Sequence, residues 1–291
     1  MSIALKPALR PEGHFGCLPR PAKIREIRVE NYRIKTFVLD AAMPQAQPGQ
    51  FVMAWLPAVE EAPFSLAYHA PVTLTVARVG SLTEAMHRLE VGDRLWLRGP
   101  YGHPFRAEAD VQRPLLVGGG YGVAPLAFLA EVLLAHGQRP LALVGGRTAA
   151  DVIGVERFEQ LGIPTIVTTE DGSHGAAGLV IDPVARLLES RLPWPGQPAP
   201  ASLSRSRIPS RSPGRYPRGP GDGQPEKAKG DALYGVGPHG LLEGLERLAR
   251  VHNLPAQLSW EATIGCAVGL CGMCEHTDGS LLCVEGPVLK S

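Results

Sequence analysis

The sequence changes rhythm at about Arg113, and that change divides the chain into two architectures. From about Lys23 to Leu97 it runs as short segments rich in β-branched and aromatic residues: IREIRVE, RIKTFVLD, FVMAWLP, VTLTVARV and RLWLRG. PGQ, APFS, HAPV and VGD separate them, so five or six closely spaced strands and a small antiparallel β-barrel are predicted. Leu82, Ala85, Met86 and Leu89 have helical spacing, which predicts one helix over 82–89 inside that half. Beyond Arg113, apolar runs without clean alternation (PLLVGGG, PLALVGGR, PTIVTTED) alternate with helical stretches (VAPLAFLAEVLLAHG, VERFEQLG, LVIDPVARLLESRL). Such a pattern predicts βαβ units on a parallel sheet covered on both faces, a doubly wound α/β domain.

Between about Pro193 and Asp231 the chain is dominated by Pro, Gly, Ser and Arg and holds almost no large aliphatic residue. A segment of that composition buries too little apolar surface to offset its ordering entropy. It is expected to be a disordered insertion, with a basic docking arm as the alternative. DALYGVGP and HGLLEGLERLARVHN then resume the strand and helix pattern, with Leu241, Leu242, Leu245, Leu248 and Ala249 on one helix face, and PAQLSWEA is another strand candidate. The expected division is a barrel domain over 20–108, a nucleotide-binding α/β domain over 112–255 with the insertion at 193–230, and a small C-terminal cysteine loop domain over 256–291.

A formal net charge of +1 gives no global field to attract nucleic acid, so no nucleic-acid partner is expected. No apolar run reaches the roughly 18 to 20 residues that span a bilayer, and MSIALKPALRPEGHFG lacks the basic start and apolar core of a secretory signal. No membrane association and a cytoplasmic location are therefore expected. Cysteine usage agrees, because four of the five cysteines cluster near the C-terminus and Cys17 stands alone as an ordinary free thiol.

Two glycine turns each lie between a strand and a helix start. LLVGGGYGVAPL carries Gly118, Gly119, Gly120 and Gly122, and LYGVGPHGLL carries Gly235, Gly237 and Pro238. Glycines let backbone approach a pyrophosphate, and a helix N-terminus offers it free N–H groups. A tight turn without a ligand remains the alternative, since the plain G-x-G-x-x-G spacing is missing. Two such turns at strand ends of one sheet favour a dinucleotide site. In the barrel half, Thr83 precedes the helical spacing and is either a simple N-cap or part of a phosphate site.

The strongest signal is C-x4-C-x2-C-x8-C, at Cys266, Cys271, Cys274 and Cys283. Thiolates hold zinc or an iron–sulfur cluster. Zinc ribbons usually present two paired C-x2-C turns, whereas C-x4-C-x2-C opens a plant-type [2Fe–2S] loop, and Gly265, Gly269 and Gly272 suit the wrapping of such a cluster.

These residues together resemble the electron-transfer subunit of class 1B dihydroorotate dehydrogenase, within the ferredoxin–NADP reductase superfamily. APFS (62–65) resembles the family's R-P-[LFY]-S flavin motif, VARVGSLT (76–83) its strand ending in Arg with a G-x-G-T turn, and GPYGHPF (99–105) its G-P-x-G-x-x-F. LVGGGYGVAPL is similar to GGGIG-x-x-P, TTEDGSHGAAGLVID to T-D-D-G-S-x-G-x-x-G-x-V-T-D, LSWEATIGCAVGLCGMC to S-L-E-x-x-M-x-C-G-x-G-x-C-x-x-C, and LLCVEGPVL to V-C-x-x-G-P-V-F.

The resemblance implies an FAD-binding barrel, an NAD(H)-binding α/β domain and a [2Fe–2S] loop facing a separate FMN-containing dihydroorotate dehydrogenase catalytic subunit, in a heterotetramer with two copies of each. Electrons from dihydroorotate would pass through the cluster to FAD and leave as hydride to NAD+, a step of pyrimidine biosynthesis. Pro63, Phe64 and Ser65 would line the flavin, Val76, Ala77 and Arg78 its adenine side and phosphates, and Thr83 the turn over the pyrophosphate. Gly118 to Gly122 and Gly235 to Pro238 would border the nicotinamide nucleotide. Ala62 stands where the family has Arg, Leu82 where a Gly is expected, and Val236 where Cys is common. Arg78 or Arg98 would have to replace the missing guanidinium. The alternatives are the FAD and iron–sulfur subunit of a ferredoxin:NADP or sulfide oxidoreductase, in which Asp tends to replace Cys266, and a flavin-free, non-catalytic relative.

Overall fold

The computed structural model describes residues 18–190 and 230–291. Cys17 and all of the expected insertion except Gly230 lie outside the described residues. Among those described, no helix is long and apolar enough to cross a membrane.

The first half is a closed antiparallel barrel. Its strands are β1 (Arg20–Asn31), β2 (Ile34–Leu39), β3 (Phe51–Leu56), β4 (Glu60–His69), β5 (Val72–Ala77) and β6 (Arg94–Tyr101), in the order β1-β2-β5-β4-β3-β6. Alternation along the strands sends Ile24, Phe37, Leu39, Val52, Leu74 and Leu97 inward to one core. The helix expected over 82–89 is α1 (Ser81–Met86). It stops at Met86 because the next N–H groups tighten, with Arg88 N donating to Ala85 O and Leu89 N to Met86 O. Leu82 and Met86 both enter the barrel core, at 3% and 0% exposure.

The second half is a seven-stranded sheet. It comprises β7 (Arg113–Gly119), β8 (Leu141–Gly146), β9 (Thr165–Thr169), β10 (Ala176–Ala177), β11 (Asp231–Val236), β12 (Ala256–Ser259) and β13 (Val288–Lys290), in the order β10-β9-β8-β7-β11-β12-β13. All pairings are parallel except that of β12 with β13. The helices are α2 (Val123–Ala135), α3 (Val155–Gln160), α4 (Ile181–Ser190) and α5 (His239–His252).

Both faces are covered, and the strand residues show it. Leu115, Val117, Leu141, Leu143 and Leu233 share a core with residues of α4 and α5, while Leu116, Ala142, Val144, Ala232 and Tyr234 share one with α2 and α3. Unbroken apolar runs in the sequence are the signature of strands buried on two sides. The chain leaves β7 in one direction and returns on its other side at β11, so the sheet's topological switch point lies between those strands.

Cys266 to Cys283 lies between β12 and β13, whose pairing joins Ser259 to Val288. Its buried residues, Ala267, Cys274, Leu282 and Cys283, belong to the same core as Phe51 and Met53 of the barrel and Leu258 of the sheet. The barrel and the sheet are also tied at a second place, where Tyr32 Oη donates to Asp151 Oδ1 at 2.8 Å and Asn31 Nδ2 to Ala150 O at 3.0 Å.

Candidate functional site

A cleft of about 260 Å³ opens where the barrel meets the switch point of the sheet. The barrel wall itself makes the opening. β4 and β5 pair from Leu66 and Leu74 outward to His69 and Val72, so Glu60–Ser65 has no partner on that side. Ala62, Pro63, Phe64 and Ser65 therefore reach the gap, with Val76, Ala77 and Thr83 across from them. The sheet side is Tyr121, Gly122 and Val236, and the floor is Trp260, Glu261, Ala262 and Ile264.

Of the residues proposed from sequence, Ala62, Pro63, Phe64, Ser65, Val76, Ala77, Thr83 and Gly122 come together in this cleft. Leu82 points into the barrel core instead. Arg78 is half-exposed and stands 3.7 Å from Glu84. The Thr83 hydroxyl receives the N–H groups of Val79 and Gly80 at 2.9 Å each and donates to Gly80 O at 3.0 Å. Thr83 is thus the third residue of α1, closing the turn that enters it, and Gly80 is the N-cap.

Gly118, Gly119 and Gly120 form the end of β7 and the turn into α2, and Gly235, Gly237 and Pro238 the end of β11 and the turn into α5. Gly120 takes φ +55°, which suits a residue without Cβ. Gly122 is needed for a different reason: a Cβ there would sit 2.7 Å from Val236 O, so the two turns at the switch point touch through backbone. Replacing Gly122 by Ala is expected to cost about 1–3 kcal/mol of stability through overpacking, read as a lower midpoint in denaturant unfolding.

Tyr121 and Glu261 were not singled out from sequence as site residues. Tyr121 Oη donates to Glu261 Oε2 at 3.0 Å across the cleft mouth, although the two are 140 residues apart. The surrounding protein raises the Glu261 carboxyl above the usual carboxylate range, with the Tyr121 hydrogen bond acting against that shift. Glu261 belongs to the S-x-E motif, which was the only local signal. Trp260 stands where the family pattern has Leu, and its ring contacts His239 and His276 at 5.6 and 4.8 Å.

The cysteine segment begins at the edge of this floor. Ala267, Gly269 and Gly272 take φ of +63°, +76° and +71°, which curls the chain around its sulfurs. Cys266 Sγ accepts the N–H groups of Val268 and Leu270 at 3.4 and 3.3 Å. Those donors, the Val268 N–H foremost, bring its thiol down to about 6. Burial pushes the Cys283 thiol up to about 12, with Cys274 beside it adding to the shift. Cys271 lies beside Cys266, and Cys283 is within electrostatic reach of both Cys274 and Cys266. Among the described residues no three His, Cys, Asp or Glu side chains converge on one metal position. Cys271 is exposed, and Val268, Leu270, Met273 and Val284 around it are 42–80% exposed.

Arg98 joins barrel and cysteine segment. Its guanidinium forks onto both carboxylate oxygens of Glu61, at 2.7 Å each, and donates to Cys266 O at 2.9 Å. The expectation that Arg98 stands in for the guanidinium missing at Ala62 is therefore corrected: its donors are already committed.

No model of a protein family matches the chain. Named relatives do. The chain is 31% identical over 271 residues to the "probable dihydroorotate dehydrogenase B (NAD(+)), electron transfer subunit" of Methanocaldococcus jannaschii, covering 93% of this chain and 89% of that protein. It is 33% identical over 280 residues to the protein of the same name from Methanothermobacter thermautotrophicus, covering 94% and 90%. Among solved structures, an NADH-dependent reduced ferredoxin-NADP oxidoreductase superimposes with a TM-score of 0.72 at 25% identity, over 92% of this chain and 87% of that one. The ferredoxin reductase of carbazole 1,9a-dioxygenase shares the fold, with a TM-score of 0.61 at 17% identity, over 81% of this chain and 66% of that one. Barrel, doubly wound sheet and terminal cysteine segment, matched to those relatives over nearly their whole length, place the chain in the family of dihydroorotate dehydrogenase B electron transfer subunits.

Proposed function

We propose that the chain holds FAD in the cleft and a [2Fe–2S] cluster on Cys266, Cys271, Cys274 and Cys283, and that it exchanges electrons between an FMN-containing dihydroorotate dehydrogenase catalytic subunit and NAD+. One observation carries the reading: the segment that floors the cleft, Trp260 to Ile264, runs directly into the first thiol at Cys266. The two groups would thus be neighbours on one stretch of backbone.

The donor set fits a binuclear cluster. Four free thiols lie in one short segment and, among the described residues, no three of them converge, whereas one tetrahedral zinc draws all its ligands to a point. N–H groups aimed at Cys266 Sγ favour its thiolate, the form that binds iron. The cleft fits a flavin ring: its walls are largely apolar, from Phe64, Val76, Pro125 and Trp260, with Ser65 and Glu261 as polar points. When bound, these groups supply one-electron transfer at iron and hydride exchange between flavin and nicotinamide.

The chain's own part is order and exclusion. Trp260, 8% exposed, and Ile264, 7% exposed, seal the floor from water. Gly119 to Gly122 and Gly237 leave backbone bare at the switch point, where the nucleotide of NAD(H) would lie. The exposed apolar rim of Val268, Leu270, Met273 and Val284 around Cys271 suits docking of the catalytic subunit, and a heterotetramer with two copies of each is the expected assembly.

Anaerobic purification followed by a visible spectrum and iron and sulfide assays tests the reading. Flavin bands with a broad cluster absorption, and iron matched by labile sulfide, are expected. A colourless protein holding zinc overturns it. With the catalytic subunit added, dihydroorotate-dependent NAD+ reduction is expected.

A further inference from the structure

Arg98 lies in β6 next to the cleft, yet it points away from any open surface. Its side chain is 11% exposed and that of Glu61 is 25% exposed. Nε and Nη2 take the two oxygens of Glu61, and Nη1 takes Cys266 O at 2.9 Å and Tyr101 Oη at 3.4 Å. The guanidinium also lies over the Tyr101 ring, 5.5 Å from its centroid, and that ring packs on Phe51 of the cleft wall. Few side chains in the structure are as fully engaged.

The placement of the partners is informative. Glu61 directly precedes the cleft strand Ala62–Ser65, and Cys266 is the first thiol of the cysteine segment, 168 residues from Arg98 along the chain. A guanidinium is planar, so two hydrogen bonds to one carboxylate fix its orientation as well as its distance. A displacement of β4 therefore turns the Nη1 donor that holds the Cys266 carbonyl. Glu61 meets most of the guanidinium's charge on the Nε and Nη2 edge. The positive end of the pair, Nη1, faces the thiol segment, where it favours the more negative, reduced state of any metal centre bound there.

We propose that Arg98 is a positioning residue that transmits occupancy of the cleft to the cysteine segment and raises the reduction potential of the cluster held there. The proposal rests on the reading that the cleft takes FAD and the thiols a [2Fe–2S] cluster. Neither the fork nor the contact to Cys266 is needed to close the barrel, since Met53 pairs with Arg98 through backbone. Structural support alone would leave the two sites independent.

The test uses the full chain. Hydrogen exchange read by mass spectrometry, with and without FAD, is compared in wild type, R98Q, R98K and E61Q, and the cluster midpoint potential is measured in each by an EPR-monitored titration. In wild type, FAD is expected to slow exchange of the amides over 264–272 by about tenfold. R98Q is expected to bind FAD, to lose that slowing and to shift the cluster to more negative potential. R98K should keep most of the potential and lose the slowing, because a lysine keeps the charge and cannot form the fork. Should R98Q fail to fold, E61Q carries the same comparison, with the slowing expected to fall. Unchanged slowing and potential in the folded variants overturn the proposal, and so does a flavin-loaded wild type whose cysteine segment exchanges as fast as the apoprotein's. A wild type that takes up neither flavin nor cluster overturns the functional reading as well, and its colourless spectrum distinguishes that failure.

Discussion

Replacing Ala62 by Arg is expected to tighten FAD binding by about tenfold to a hundredfold, equivalent to about 1.5–3 kcal/mol for one charge-assisted contact. Isothermal titration of the apoprotein with FAD measures it. Ala62 lines the cleft at the strand gap, and no Lys or Arg is among the residues that line it. Arg98 is committed to Glu61 and Cys266, whereas the half-exposed Arg78 pairs with the exposed Glu84 at 3.7 Å. Glu61 and Ala62 face opposite sides of β4, so the new guanidinium would not compete for Glu61. An exposed ion pair contributes little, so Arg78 can turn to a phosphate at small cost. Arg78→Gln is accordingly expected to weaken FAD binding in the natural sequence, and to matter less once Ala62→Arg is present. An affinity unchanged by Ala62→Arg would place the flavin phosphates away from this gap.

Cys271→Ser and Cys274→Ser are expected to abolish the cluster absorption alike and to differ in what else they do. Each would remove one sulfur from the proposed cluster. Cys271 is exposed, so its hydroxyl replacement meets water and the apoprotein should unfold as the wild-type apoprotein does. Cys274 is 1% exposed in the core shared by barrel, sheet and cysteine segment. A serine hydroxyl there lacks its hydration, at a cost of about 1–3 kcal/mol, and the denaturation midpoint should fall. Comparing chelated and loaded protein in each variant separates the loss of metal from the loss of packing. Equal midpoints for the two variants would count against the buried position of Cys274.

Much of this was legible in the sequence, because its signals are local. Segments rich in β-branched and aromatic residues before Arg113 announce five of the barrel's six strands, whereas β4 runs straight through APFS, which reads as a separator by sequence. Unbroken apolar runs after Arg113 mark strands buried on two faces. The cysteine spacing marked the segment now found between β12 and β13. What escaped was set by contacts between distant residues. The antiparallel pairing of β13 with β12, which returns the chain to the sheet, has only three residues to announce it. Nothing near Arg98 in sequence specifies Glu61 or Cys266, so its commitment to them was not legible there. Tyr121 and Glu261 meet from opposite ends of the α/β half for the same reason. Periodicity does not resolve a helix start to the residue, so Thr83, by sequence either an N-cap or part of a phosphate site, stands three residues beyond the actual N-cap, Gly80.

The way β12 and β13 bracket the cysteine segment bears on how the protein matures. Because Ser259 is paired with Val288, the entropy of closing that loop is met when the sheet forms, before any metal arrives. If the thiols hold the proposed cluster, iron would reach them on a loop already closed, with two of them seated in a finished core. On that reading loading would be a late event on a folded chain, and removing the iron should leave a protein that can be refilled without being refolded.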